Sequence, residues 1–315
     1  MEGSLTDFFP NIQQPTTQNV ERRTQNAEGG IFWIMIESTE KIKGFATISQ
    51  SSVISHQSSV YQLPAIASGA NTLYFPLVMS DEAWQTHLSI LNPNDEEAPL
   101  VLTPYDKDGY PLAEYSSVGS LKGKVLSIKY VQEYFVDSLP PGTAWIKLES
   151  DSKIIGVETI STMDNHNIYM LPAAVNGYST LNFQLPVMAV GEDYAQRRTS
   201  NVEHQQSNVE RQTSNGYLIL LNLSLQQGAT FSINAYDSDG NLVGYSSSIG
   251  IAPGALKFDT ISHYFDGYLP PQSTGIKIDS DGALNGFVLF DGKIIFPENQ
   301  LPTQLLDNST STARR

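Results

Sequence analysis

Two carboxylates separated by one residue and followed by glycine occur twice in this chain, as Asp106-Lys107-Asp108-Gly109 and Asp237-Ser238-Asp239-Gly240. Carboxylate oxygens at that spacing suit a hard cation, so Asp106, Asp108, Asp237 and Asp239 are candidate ligands and Ca²⁺ is the one cofactor the sequence suggests. The spacing departs from an EF-hand loop. Glycine stands fourth rather than sixth, and Ser117 and Ser248 fill the twelfth place, where a bidentate glutamate belongs. The competing reading is a tight β-turn, in which the first Asp accepts local backbone N–H bonds and glycine supplies a positive φ. Glu149-Ser150-Asp151 and Asp279-Ser280-Asp281 are expected to close a further hairpin in the same way.

The three tryptophans offer a different chemistry. Trp33 and Trp145 share a strand position, and alternation puts both on the polar face beside Glu37 and Glu149. An outward ring is a platform for a glycan or a protein ligand, because it buries much area for little entropy; Trp84 is a third candidate. Packing on a loop or on a neighbouring module is the alternative, and Gly275 holds the matching place in another copy. For catalysis the pattern is poor. None of the five histidines recurs between copies, since Tyr217 matches His87 and Glu133 matches His263. No Gly-x-Ser-x-Gly elbow and no phosphate loop is present, so a non-enzymatic chain is expected.

Composition narrows the partners. The net charge of −15 disfavours nucleic acid and anionic membranes, because phosphate affinity comes from Lys and Arg displacing condensed counterions. No run reaches the roughly 18 apolar residues of a membrane span, and Met1-Glu2-Gly3-Ser4 lacks the basic then apolar start of a signal peptide. With no cysteine the chain forms no disulfide and no thiolate metal site.

The elements that must position these residues are repeated. Tyr134-Phe135, Leu139-Pro140-Pro141, Lys147, Ser150, Asp151 and Gly156 return 130 positions later as Tyr264-Phe265, Leu269-Pro270-Pro271, Lys277, Ser280, Asp281 and Gly286. The end of the block also occurs 112 positions earlier, where Trp33, Ile34, Glu37 and Gly44 match Trp145, Ile146, Glu149 and Gly156. Tyr105 to Gly109 pairs with Tyr236 to Gly240, and Tyr61 to Ala65 with Tyr169 to Ala173. Two stretches interrupt the pattern with a shared NVER-type unit, at 14–28 and 196–215, and each is expected to be a solvated loop.

Short alternating runs bounded by Gly, Pro and Asp-Gly read as strands near 73–79, 86–92, 99–105, 111–117, 124–130, 144–150 and 153–160. Expected inward pairs are Leu88 and Ile90, Leu100 and Leu102, Leu126 and Ile128, and Ile146 and Leu148. Leu218 and Leu220, Phe231 and Ile233, Leu256 and Phe258, and Ile276 and Ile278 are their counterparts. Val131 to Phe135 and Ile261 to Phe265 suggest a helical turn. The fold class is therefore all-β, as tandem immunoglobulin-like β-sandwich repeats. The expected division is a truncated repeat in 1–50, a linker at 51–72, a complete repeat at 73–160, a linker at 161–180, a complete repeat at 181–296 and a tail at 297–315. Stiff Leu-Pro-Ala linkers would string these into an extended rod with neighbouring repeats as partners.

From Leu63 to Leu112 and onward the chain resembles an uncharacterised tandem repeat of large secreted and surface proteins of delta-type proteobacteria. The resemblance rests on Leu63-Pro64, Trp84 with Thr86, Leu91-Asn92-Pro93, Tyr105 to Gly109, Trp145-Ile146, Ser150-Asp151 and Gly156. It implies a β-sandwich spacer or adhesion-type domain that is secreted or on the cell surface, and it brings no catalytic residue. Asn222-Leu223 in place of Asn-Pro, the two inserts and the absence of a signal peptide in this sequence depart from that pattern.

Overall fold

The computed structural model describes residues 45–51, 58–64, 66, 68–112, 116–136, 138–164, 167–185, 216–267, 269–270, 272–290 and 293–298. Trp33 and the two NVER-type inserts lie outside them. The described chain is all-β: a small hairpin, two curled antiparallel sheets, and almost no helix.

β1 (Phe45–Ser51) and β2 (Ser58–Pro64) form the hairpin. The first sheet holds β3 (Ala70–Phe75), β4 (Trp84–Leu91), β5 (Ala98–Tyr105), β6 (Ser117–Leu121), β7 (Leu126–Tyr130), β8 (Trp145–Thr162) and β9 (Ile168–Pro172). The second holds β10 (Tyr178–Gln184), β11 (Tyr217–Asn222), β12 (Ala229–Tyr236), β13 (Leu242–Tyr245), β14 (Ile249–Ile251), β15 (Leu256–Thr260), β16 (Gly275–Phe290) and β17 (Lys293–Ile295).

One long strand organises each sheet. The first half of β8 pairs with β3 and β5, and its second half pairs with β4 and β9. In the second sheet β16 does the same, pairing first with β10 and β12 and then with β11 and β17. The registers correspond: Phe75 faces Ile146 as Phe183 faces Ile276, and Ile90 faces Gly156 as Leu220 faces Gly286.

The hairpin expected at Glu149-Ser150-Asp151 does not form. Strands anticipated at 144–150 and 153–160 are one strand, and Asp279-Ser280-Asp281 likewise lies inside β16. The Ser150 hydroxyl accepts the Ser152 N–H at 3.2 Å and Ser280 accepts that of Gly282 at 3.1 Å, a local bond that bends the strand without reversing it. Between the pairs Thr72–Glu149 and Ala70–Ile154 the long strand advances five residues against two, and the Thr180–Asp279 and Tyr178–Leu284 pairs show the same shift. Such a bulge raises local twist, which turns one strand across both halves of the curl.

Inside each curl lies an apolar core. Leu73, Phe75, Leu88, Ile90, Leu100, Leu102, Ile146 and Leu148 fill the first. Leu181, Phe183, Leu218, Leu220, Phe231, Ile233, Ile276 and Ile278 fill the second. Alternation failed on the edge strands. Ile128 is 51% exposed and Phe258 is 48% exposed, rather than inward. The inner side of β7 is taken by Tyr134, on the 3-10 turn Val131–Tyr134: its hydroxyl lies 3.2 Å from Ser127 Oγ, and Lys129 Nζ sits 5.4 Å from its ring. Ser127 and Lys129 therefore lie on the Tyr134 side of β7, which turns Ile128 to solvent and leaves Leu126 half-buried.

Candidate functional site at the junction of the two sheets

The Asp-x-Asp-Gly segments are turns. Asp106 Oδ1 accepts the N–H groups of Asp108 at 3.0 Å and Tyr110 at 2.8 Å, and Asp237 Oδ1 accepts those of Asp239 at 2.9 Å and Asn241 at 2.8 Å. Gly109 and Gly240 take φ of +88° and +81°, which only glycine adopts without strain. The Asp237 carboxyl is held below the usual Asp range, first by the backbone N–H of Asn241 and then by its side-chain amide at 3.1 Å. Asp108 lies 2.8 Å from Lys107 Nζ on the surface. Among the described residues no three His, Cys, Asp or Glu side chains converge on one point.

The first of these turns has a further use. Leu256 of the second sheet donates its N–H to the Lys107 carbonyl at 2.9 Å, and the Pro253-Gly254-Ala255 backbone lies against Gly109. A Cβ on Gly109 would come within 2.1 Å of the Pro253 carbonyl oxygen, whereas one on Gly240 would meet open space. The same short sequence thus serves as a docking point in one copy and as a free hairpin in the other.

Around that contact the sheets bury apolar side chains. Tyr105 and Trp145 cluster with Leu221, and Tyr74, Leu223 and Leu256 pack against them. Leu77, Ile160 and Leu171 cluster with Ile219 and Phe287. The stretch 161–180, expected as a linker, carries β9, whose pairing runs from Ser161–Ile168 to Val157–Pro172. The Tyr74–Ala174 bridge ties the next few residues to β3. The two sheets therefore meet through a buried junction and are not strung as separate beads.

The tryptophans separate accordingly. Trp145 does point away from its own core, as alternation requires, but it is 0% exposed because the second sheet covers it. Of the two readings of this ring, an exposed ligand platform does not hold for Trp145: the outer face of one sheet is the inner face of a junction. Its ring stacks on Tyr105 with centroids 4.0 Å apart, and its indole N–H has no hydrogen-bond partner among the described residues. Trp84 is half-buried and stacks on Tyr169 at 6.0 Å. Two outward ring pairs escaped sequence reasoning: His87 with Tyr130 at 4.0 Å, and Tyr217 with Phe258 at 5.3 Å. They come from adjacent strands, so no one-strand pattern signals them.

The aliphatic-Asn motif also gains a role. Asn92 Nδ2 donates to the carbonyls of Glu96 and Leu121, both at 2.8 Å, and its Oδ1 accepts the Asn94 N–H at 3.0 Å. Asn222 repeats the arrangement with Gln227, Ala252 and Ser224. Each buried amide pins a loop to the next strand end, which explains why Asn is kept where the following Pro93 becomes Leu223.

One buried charge-bearing group lies beside the junction. Glu158 is fully buried, opposite Leu88 and Leu171; among the described residues its Oε2 accepts only the Leu77 N–H, at 3.4 Å, and Oε1 has no partner. Desolvation pushes its carboxyl well above the usual Glu range, and that one N–H bond only partly offsets the shift. A cleft of about 190 Å³ opens nearby, lined among others by Pro76, Leu171, Asn176, Tyr178, Asn285 and Phe287. It is smaller than the roughly 300 Å³ at which small-molecule pockets begin, and its lining offers amides and one phenol but no acid–base pair.

No family model matches the chain, and no curated protein matches it. Among the solved structures similar over part of it are the following two. The "Crystal Structure of Thermotoga maritima 1070" shares 15% identity at a TM-score of 0.29, covering 34% of this chain and 94% of that one. The "Anabaena sensory rhodopsin transducer" shares 18% identity at a TM-score of 0.25, covering 30% of this chain and 100% of that one.

Proposed function

We propose that this chain is a set of tandem immunoglobulin-like β-sandwich repeats serving as a non-catalytic structural or adhesive part of a larger secreted or cell-surface protein. The repeats are centred on 73–160 and 181–296. The observation that carries this reading is the junction. Trp145 and Tyr105 of one sheet and Leu221 and Leu256 of the next are outward-facing side chains buried against each other. Units that cover a neighbour with outward apolar surface suit stacking in an array, where stability comes from intrinsic and nearest-neighbour terms. The resemblance to surface-protein repeats supports the secreted or surface placement, and the net charge of −15 fits partners other than nucleic acid.

The test is topological. Intact cells that make the protein are treated with a membrane-impermeant amine-labelling reagent and compared with lysed cells. Labelling of intact cells is expected; label that appears only after lysis would remove the surface reading.

A second reading, a carbohydrate- or protein-binding module, is favoured by the half-buried Trp84 stacked on Tyr169. A glycan array giving a specific signal that Trp84→Ala abolishes would place binding ahead of the spacer role.

A further inference from the structure

We propose that Glu158 is a proton-operated latch on the junction: with its proton the Leu77, Ile160 and Leu171 patch stays packed on the second sheet, and without it water enters beneath that patch. The geometry is specific. Glu158 projects to the same side of β8 as Ile154 and Ile160, its cross-strand neighbours are Leu88 on β4 and Leu171 on β9, and its one hydrogen bond comes from Leu77. Leu77, Ile160 and Leu171 are the residues of the first sheet that cluster with Ile219 and Phe287 of the second. The carboxyl therefore sits on the same face as the docking patch, next to its side chains.

Among the described residues an ionised carboxylate there would have only the Leu77 N–H to hold it. β4 offers Thr86 and Leu88, and the Thr86 hydroxyl is already engaged in both directions with Met79. Its ionisable His87 alternates to the opposite face and stacks on Tyr130. β9 offers Leu171 and the phenol of Tyr169, segment 76–79 carries no ionisable side chain, and the second sheet presents Ile219 and Phe287. Among the described residues the cation nearest in register is Lys129 of β7, across Leu88 from Glu158, and its Nζ sits over the Tyr134 ring, so removing the proton leaves an unpaired charge in an apolar site. The second sheet supplies an internal comparison. Glu158 stands across from Leu88 as Val288 stands across from Leu218, and Val288 is buried in an ordinary apolar core. A carboxyl is thus not required to build this position; it is a departure found in the sheet whose patch docks.

The sign follows from linkage. A carboxyl that holds its proton more tightly folded than unfolded leaves stability highest below the ordinary Glu pKa. Stability then falls as pH rises from there toward the raised folded value. The junction should open first on the alkaline side.

The experiment uses the full chain as wild type, Glu158→Gln and Glu158→Val. Thermal unfolding is followed from pH 4 to 9, together with exchange of the Leu256 amide, whose bond to the Lys107 carbonyl crosses the junction. Expected for the wild type is a melting temperature that falls with rising pH relative to both variants, and a Leu256 amide that exchanges at least tenfold faster at pH 8 than in Glu158→Val. The Leu218 amide, inside the second sheet, should change far less. Superimposable pH profiles for wild type and Glu158→Val would overturn the latch. So would an effect in which Leu256 and Leu218 lose protection equally, because the carboxyl would then weaken the fold as a whole. Glu158→Val keeps the test available should the glutamine fail to fold.

Discussion

Trp145 lies almost parallel to Tyr105, with planes 10° apart and centroids separated by 4.0 Å, and both rings are covered by Leu221 of the other sheet. Truncating such a buried aromatic costs about 3–5 kcal/mol. Trp145→Ala should lower stability by that order in denaturant unfolding and should split one transition into two as the sheets uncouple. Trp145→Phe keeps the stacked ring and deletes an indole N–H that has no partner, so it should cost less than half as much. Equal losses for the two variants would mean that ring packing is not what joins the sheets.

Much of this was legible in the residues. Period-2 alternation fixes which side chains face a core, and Ile146 lies across from Phe75 as Ile276 lies across from Phe183. Two kinds of feature were not legible. Ser150 and Asp151 look like turn residues, but nothing local says whether a serine hydroxyl will reverse a strand or bend it; the pairing of both flanks with the same sheet decides that. Alternation likewise reports that Trp145 points outward and is silent on what stands outside. The Leu-Pro segments read as stiff linkers because Pro fixes its φ, yet Pro172 ends an edge strand, where its missing N–H is tolerated.

The two glycines of the Asp-x-Asp-Gly turns form a controlled pair. Gly109→Ala and Gly240→Ala each place a Cβ at positive φ and each should lose roughly 1 kcal/mol to backbone strain. Only Gly109 also meets the Pro253 carbonyl. Gly109→Ala should therefore destabilise clearly more than Gly240→Ala, and only it should release the Leu256 amide to exchange. Matching melting temperatures and matching exchange would show that the hairpin does not dock.

Asn92 offers a test of the loop pin. Its amide satisfies the carbonyls of Glu96 and Leu121 in a site closed to water. Asn92→Ala leaves a buried carbonyl unpaired and should cost about 2–3 kcal/mol. Asn92→Asp supplies acceptors where donors are needed and should cost at least as much at neutral pH. An alanine variant within 0.5 kcal/mol, on the order of a surface change, would show that the pin contributes little.

Calcium separates the two readings of Asp106, Asp108, Asp237 and Asp239. Each hairpin already directs two backbone N–H groups onto one carboxylate oxygen, at Asp106 and Asp237, which opposes a cation at that atom. The expected outcome is an unchanged melting temperature between millimolar Ca²⁺ and chelator. A ligand that binds only the folded state adds about 2.7 kcal/mol of stability at 100 times its Kd and so must raise the melting temperature; a clear rise would establish a calcium-stiffened hairpin.

Acid should find the second hairpin through Asp237. Its carboxyl is lowered in the folded chain by the Asn241 backbone N–H, so its contribution is complete above the unfolded Asp value near 3.9. It fades as pH falls from there through the depressed folded value, because protonation removes the acceptor charge that holds Asn241. Asp237→Asn cannot titrate. The gap in melting temperature between wild type and Asp237→Asn should therefore be widest at pH 5 and close progressively toward pH 2. A gap that stays constant over that range would mean that the hairpin is held by its backbone geometry and not by the charge on Asp237.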